Sequence, residues 1–439
     1  MHLLIGVMAA ALSADPTADR GNVQAQDSWP QWRGPLATGV APHAQPPIEW
    51  SETKHIRWKT RLPGKGHSTP IVWGERIFLT TAVPYGEPIK PRFVRPGAHD
   101  NLAMTQNHEF VVLAVDRKSG KMLWQKTMHK AAPIEAGHVS ASLASASPVT
   151  DGERVFAFFG SYGLYCLDTD GKLLWKKDLG EMHTKHGHGE GSSPALHGDR
   201  LIINWDHEEG SFVVALDKRT GEQRWRTARP EETSWATPIV VEHSGKAQVI
   251  VSGTKRIRSY DLTDGTLIWE CGGLSSNIVA SPVAANGFVY AGSSYDTRAM
   301  FAIRLEGAKG DITGTEQVVW ARHRGTPYVP SPLLYGDSIY NMQHYQGVVV
   351  RLDAKTGRED GEPVRLESIR DVYSSPVGAA GRIYFTSREG VTQVMTHGED
   401  SPRMLAVNRL EDSFSASAAL VGRELFLRGE RFLYCIADD

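Results

Sequence analysis

LYCLDTDGKLLW, residues 164–175, reads as a strand, a tight turn and the start of a second strand. Variants of it recur. Asp116 to Gly120 reads DRKSG and KMLW follows; Asp217 to Gly221 reads DKRTG, then EQRW; Asp261 to Gly265 reads DLTDG, then TLIW; Asp353 to Gly357 reads DAKTG. The Asp side chain can bond the backbone of its own turn, and the Gly supplies the positive φ that closes a short hairpin. A Trp stands four residues past the Gly at Trp124, Trp175, Trp225 and Trp269, with Trp320 as a looser copy. A large aromatic at one fixed depth of a strand suits a wedge between neighbouring sheets.

A second marker opens each unit: a small residue, a Pro and an apolar run. It occurs at Thr69-Pro70, Ser147-Pro148, Ser193-Pro194, Thr237-Pro238, Ser281-Pro282, Ser331-Pro332 and Ser375-Pro376. An eighth copy, 415–420 (SASAAL), carries Ala418 in the Pro place. The first step is 78 residues and the later ones are 42 to 50. Pro is tolerated at the first residue of a strand, so the marker reads as the start of one. A turn and a second strand follow each time, as in WGERIFLT and HGDRLIINW. A period in the forties with four short strands per unit is a propeller blade. Stacked sandwich domains are the alternative, but they need no single period and leave more sheet edges open.

The last unit ends at LYCIADD, where a Trp strand should follow. The segment 56–59 (IRWK), with Trp58, resembles that missing strand. The expected fold is therefore all-β: an eight-bladed propeller closed by an N-terminal strand that completes the last blade.

Length alone suggests about three domains, but the repeat makes residues 29–439 one. Gly, at 43 of 439 residues, exceeds its usual share of about 7%, as a turn-rich β-protein requires. A net charge of −2 gives no electrostatic case for nucleic acid or an acidic membrane surface. Residues 1–14 hold an apolar run too short to span a bilayer; they read as a signal peptide cut near Ala14, which implies a periplasmic or secreted protein. Residues 15–28 read as a flexible linker, and WPQWRGP, 29–35, as a Pro-pinned segment against an outer face of the propeller. Cys166 and Cys435 occupy matching places in non-adjacent units, too far apart for a disulfide. No transmembrane helix is expected after residue 14, and a monomer is.

The Ser-Pro start, the Gly-Asp-Arg turn and the D-x-x-T-G-x-x-x-W exit are together similar to the pyrroloquinoline-quinone-like (PQQ-like) propeller repeat, over about residues 29–439. The resemblance implies the eight-bladed fold. Relatives include alcohol and sugar dehydrogenases that bind PQQ and Ca²⁺, and scaffold propellers that bind no cofactor, so it does not choose between enzyme and binder. The vicinal Cys-Cys that such dehydrogenases share is absent, and their Glu, Asn and Asp cannot be matched residue by residue.

Residues just before each marker should ring one mouth of the channel. They include His67, Glu190, Trp235, Asn277, Tyr328, Asp371 and Tyr373, a mixture suited to a small ligand or peptide. His183, His186 and His188 are candidate metal ligands, with Glu190, Asp206 and His207 near in sequence. Lys185 and three glycines oppose that reading. No nucleophile elbow and no phosphate loop is present. Three irregular loops, 84–107, 126–143 and 181–191, would decorate one face. The reading is an exported binding or scaffold propeller that takes a protein or small-molecule ligand on that face. The alternative is a PQQ- and Ca²⁺-dependent alcohol or sugar dehydrogenase.

Overall fold

The computed structural model describes residues 24–91, 99–399 and 402–438. The proposed signal peptide lies outside them, as does most of the proposed linker. The described chain forms eight antiparallel sheets, here called blades, spanning 71–131, 149–177, 195–228, 239–272, 283–322, 333–365, 377–409 and 419–437. Each has four strands, except that Gly310–Asp311 adds a short fifth to the outer edge of blade 4. Blade 8 takes its outermost strand from Ile56–Arg61, which pairs antiparallel with Phe432–Ala437.

The repeated Trp and the repeated Gly prove to be two halves of one contact. Each Trp leans onto the Asp-Gly turn of the following blade, and its indole N–H donates to that turn's backbone. Trp124 donates to Thr169 O at 3.0 Å, Trp175 to Lys218 O at 3.1 Å, Trp225 to Leu262 O at 2.8 Å and Trp320 to Ala354 O at 2.9 Å. The Gly beneath has no room for a side chain. A Cβ at Gly221 would lie 2.8 Å from the Trp175 ring, and one at Gly357 2.5 Å from Trp320. Glycine is thus required twice, for positive φ and for close approach. Trp58 does the same across the blade 8–blade 1 junction, with its N–H on Arg117 O at 2.9 Å and its ring over Gly120. Trp269 is the exception. Blade 5 carries no Asp-Gly turn to receive it, and its N–H turns to Gln248 Oε1 at 3.1 Å.

The marker hydroxyls have a structural use as well. From Ser147 onward, each marker Ser or Thr accepts the backbone N–H of the corresponding residue one blade earlier. Thr69 N–H donates to Ser147, Ser147 to Ser193, Ser193 to Thr237, Thr237 to Ser281, Ser281 to Ser331, Ser331 to Ser375 and Ser375 to Ser417, all at 2.8–3.0 Å. The series does not close, because Thr69 Oγ1 has no partner. At that junction the buried Arg428 of blade 8 donates instead to Ser68 O, Ser68 Oγ and Thr80 O of blade 1.

The N-terminal segment corrects one expectation. It does not lie on an outer face. Residues 29–50 cross the end of the propeller where the innermost strands finish. Trp29, with no exposed surface, bonds Val72 of blade 1 through both backbone groups, and Pro30 O accepts from Thr150 of blade 2. Arg33, also buried, donates to Pro332 O and Pro376 O, each at 2.7 Å, and to Thr38 O at 3.1 Å. Ala41 then bonds Gly378 of blade 7, and Gln45 bonds Gly422 of blade 8. Burial pulls the Arg33 pKa down to about 9, so it keeps its charge at neutral pH among carbonyl dipoles.

Candidate functional site

The channel widens into a cavity of about 540 Å³ at the end where the innermost strands begin. This lies within the roughly 300–1,000 Å³ of small-molecule pockets. His67, Glu190, Trp235, Asn277, Tyr328 and Tyr373 line it. Asp371 is not on its lining; its carboxylate is taken by Arg388 at 2.8 Å. Trp32, carried by the crossing segment, reaches the same cavity from the opposite end.

Two walls differ in chemistry. Over blades 5 to 7 the wall is aromatic. Tyr295 and Tyr328 stack at 6.1 Å, Tyr328 lies 4.7 Å from His344, and Tyr345 and Tyr373 stack at 5.9 Å. Tyr295 and Tyr345 sit on loops between second and third strands, which also reach this mouth. Neither stands before a marker, so the marker pattern does not find them. A signal was available: each stands thirteen residues past its marker Pro, from 282 to 295 and from 332 to 345.

The opposite wall is imidazole. His188 lies 4.9 Å from His138 and 5.4 Å from His99, centroid to centroid, and His186 lies 4.6 Å from His99. Three irregular loops converge to build it. Asn101 pairs with His138, Gly137 N–H donates to Gly187 O, and His138 N–H donates to His188 O. Asn101 Nδ2 donates to His186 O and Gly187 O, which fixes its amide. Its Oδ1 therefore accepts from His188 Nδ1 at 2.9 Å, and His188 Nε2 keeps its lone pair. His138 is the other tautomer, since its Nδ1 accepts the Ser140 N–H at 3.2 Å. Burial together with the neighbouring imidazoles holds His188 down at about 4, and burial with Lys65 and Arg428 nearby holds His67 at about 3. Both are neutral at pH 7.

The sequence grouping of His183, His186 and His188 is not reproduced. His183 turns to the other side of its loop, with Nδ1 3.8 Å from Glu135 Oε1 and its N–H on His207 Nδ1. A mid-loop residue with positive φ, His186 at 57°, reverses the chain between them. Asp206 is committed elsewhere too, in a bidentate pair with Arg229. Among the described residues, no group of three His, Cys, Asp or Glu side chains is placed to hold a metal ion.

Glu190 borders the cavity but spends both oxygens on Ser161, on its hydroxyl at 2.5 Å and its N–H at 2.8 Å. The carboxylate fills the place of a side chain at Gly160, where a Cβ would come within 1.0 Å of Oε2. Burial pushes its pKa up to about 7. The protonated form is favoured on folding, so this contribution to stability is complete below about pH 4.5 and is lost as pH rises through about 7. Glu190→Gln, which keeps the shape and an acceptor, should gain melting temperature over the wild type progressively between about pH 5 and pH 8. A gap that stays constant with pH would contradict the assignment.

A PQQ and Ca²⁺ site does not fit these residues. Ca²⁺ takes six to eight oxygen ligands, whereas the carboxylates on the cavity lining are Asp100 and the already committed Glu190. The three carboxylates of the quinone call for cations, and no Lys or Arg is among the described lining residues. The three cysteines are buried and free.

Comparison with known proteins agrees on the architecture. The sequence matches the model of the family described as outer membrane protein assembly factor BamB, over residues 108–360 and 209–436. No curated protein matches it. Similar solved structures include BamB from Moraxella catarrhalis (13% identity, 81% of this chain and 99% of that one, TM-score 0.53). Quinohemoprotein alcohol dehydrogenase from Comamonas testosteroni is another (11% identity, 97% and 82%, TM-score 0.62). A europium-containing methanol dehydrogenase is a third (12% identity, 93% and 91%, TM-score 0.59). At such identities the likeness is one of fold. With most of its length matched by the family model and all eight blades formed, the chain belongs to the BamB-described family of PQQ-like repeat propellers.

Proposed function

We propose that the chain is an exported, non-catalytic binding or scaffold propeller that acts as a monomer. Its working surface is the three-loop cap and the cavity beside it. The observation that carries this reading is the interlocking of three loop segments, described over residues 99–106, 132–143 and 181–191, through backbone bonds around one rim of the channel. Long loops that a scaffold holds in place are where propellers and similar folds carry recognition. The family relation to an outer-membrane assembly factor supports a protein partner, and an export signal at residues 1–14 accords with the same compartment. Among the described residues no helix is long and apolar enough to cross a membrane.

Adding PQQ and Ca²⁺ to the purified protein, with alcohols or sugars and a dye acceptor, should give no turnover above the protein-free rate. Saturable quinone uptake with turnover would overturn the proposal in favour of a dehydrogenase.

A further inference from the structure

We propose that the central cavity is a saccharide site that takes the end of a neutral glycan. This rests on the reading of the cavity as a binding site, and it names the ligand class.

The first observation is a set of unpartnered polar atoms. His67 Nε2, Asn277 Oδ1, His344 Nδ1 and Ser415 Oγ are buried, have no hydrogen-bond partner in the protein, and belong to residues that line the cavity. A buried polar atom without a partner costs about 1–3 kcal/mol, and these four come from four different parts of the ring. Asn277 Oδ1 can only accept. The hydroxyl and the imidazoles can each donate or accept. A ligand hydroxyl does both and satisfies every one of them. A phosphate or carboxylate would oppose Asn277 Oδ1, and the Arg388 guanidinium that packs over the Tyr373 ring is already paired with Asp371.

The second observation is the aromatic wall of Tyr295, Tyr328, Tyr345 and Tyr373, with Trp32 and Trp235 elsewhere on the same cavity. A pyranose ring presents an apolar C–H face and a rim of hydroxyls. It uses a flat aromatic surface and an amphoteric edge together. The third is backbone strain. Asn277 and His344 hold φ of 53° and 56°, and Asp100 holds 55°, a conformation that non-glycine residues adopt at a cost. Strain of this kind gathers at ligand sites.

The test is an array of defined glycans probed with the labelled full chain. The strongest neutral binder is then titrated by calorimetry beside a uronic-acid counterpart, choline and adenosine. The neutral glycan should bind and the other three should not compete. Tyr328→Ala and Asn277→Gly, the latter tolerant of the positive φ, should each weaken binding by about ten-fold, equivalent to about 1.4 kcal/mol. Leu123→Ala on the outer rim should leave it unchanged. A blank array, or tighter binding of the charged or planar probes, overturns the inference. A blank array without quinone-dependent turnover sinks the saccharide site alone. Quinone-dependent oxidation of a bound sugar sinks the non-catalytic reading and leaves the sugar site standing.

Discussion

A chain that begins at residue 62 shows no cooperative melting transition. That is the expected outcome of removing the crossing segment together with the closing strand, and it follows from what Ile56–Arg61 supplies. Its ladder covers the edge of Phe432–Ala437, which would otherwise present unpaired backbone groups to other chains. Trp58 packs on Phe426 at 6.0 Å and seats on Gly120 of blade 1, and Thr60 Oγ1 donates to Gly120 O at 2.6 Å. Arg57 and Arg117 meet on Glu424 from the two sides of the junction. Removing the segment also uncovers the pocket of Trp29 and leaves the carbonyls bound by Arg33 without their donor. The combined loss exceeds the total stability of about 5–15 kcal/mol that folded domains possess. Supplying residues 24–61 as a separate peptide should restore a sigmoidal melt by circular dichroism. A truncated chain that melts cooperatively at the wild-type temperature would show that the ring does not depend on this closure.

Asp206→Ala should cost about 3–5 kcal/mol, the usual penalty for breaking a buried ion pair from one side. Asp206 and Arg229 have no exposed side-chain surface. The guanidinium meets both carboxylate oxygens, at 2.8 and 3.0 Å, and also Tyr260 OH at 2.9 Å. Ser234 Oγ adds a fourth contact at 2.6 Å to Asp206 Oδ2. Removing the acid strands a cation between blades 3 and 4. The double variant Asp206→Leu with Arg229→Met removes both charges and should recover much of the loss. Urea unfolding midpoints of the single and double variants decide this. Equal losses in the two would show that packing, not charge, sets the cost.

The architecture was legible because it is written in a period. An Asp, a Gly and a Trp at constant spacing identify a hairpin and a wedge, and the Ser-Pro step counts the blades. What the wedge touches was not legible. The seat of Trp175 is Gly221, 46 residues later, and only the ring geometry brings them together. The cavity was partly readable. His67, Glu190, Trp235, Asn277, Tyr328 and Tyr373 follow from strand polarity alone, since residues before an innermost strand must face the channel. Asp371 breaks that rule because an Arg388 side chain captures it. Asp206 stands at a strand end near the histidine loop in sequence, but its carboxylate faces a buried arginine, a partner that no local pattern announces. Trp32 was expected with its segment on an outer face, because nothing local says which way an irregular segment crosses a propeller, yet it lines the cavity. His99 and His138 depend on three loops folding into one another, a matter of long-range contact with no pattern along the chain.

The uncompleted series of hydroxyl links gives the molecule a clasp. A perfect bracelet would spread thermal opening evenly over its eight joints. Here seven joints share one small repeated tie, while the eighth is held by Arg428 and by a borrowed strand. Breathing should therefore begin at that one place and travel outward in both directions, so that amides flanking the clasp trade deuterium before those on the far side of the circle.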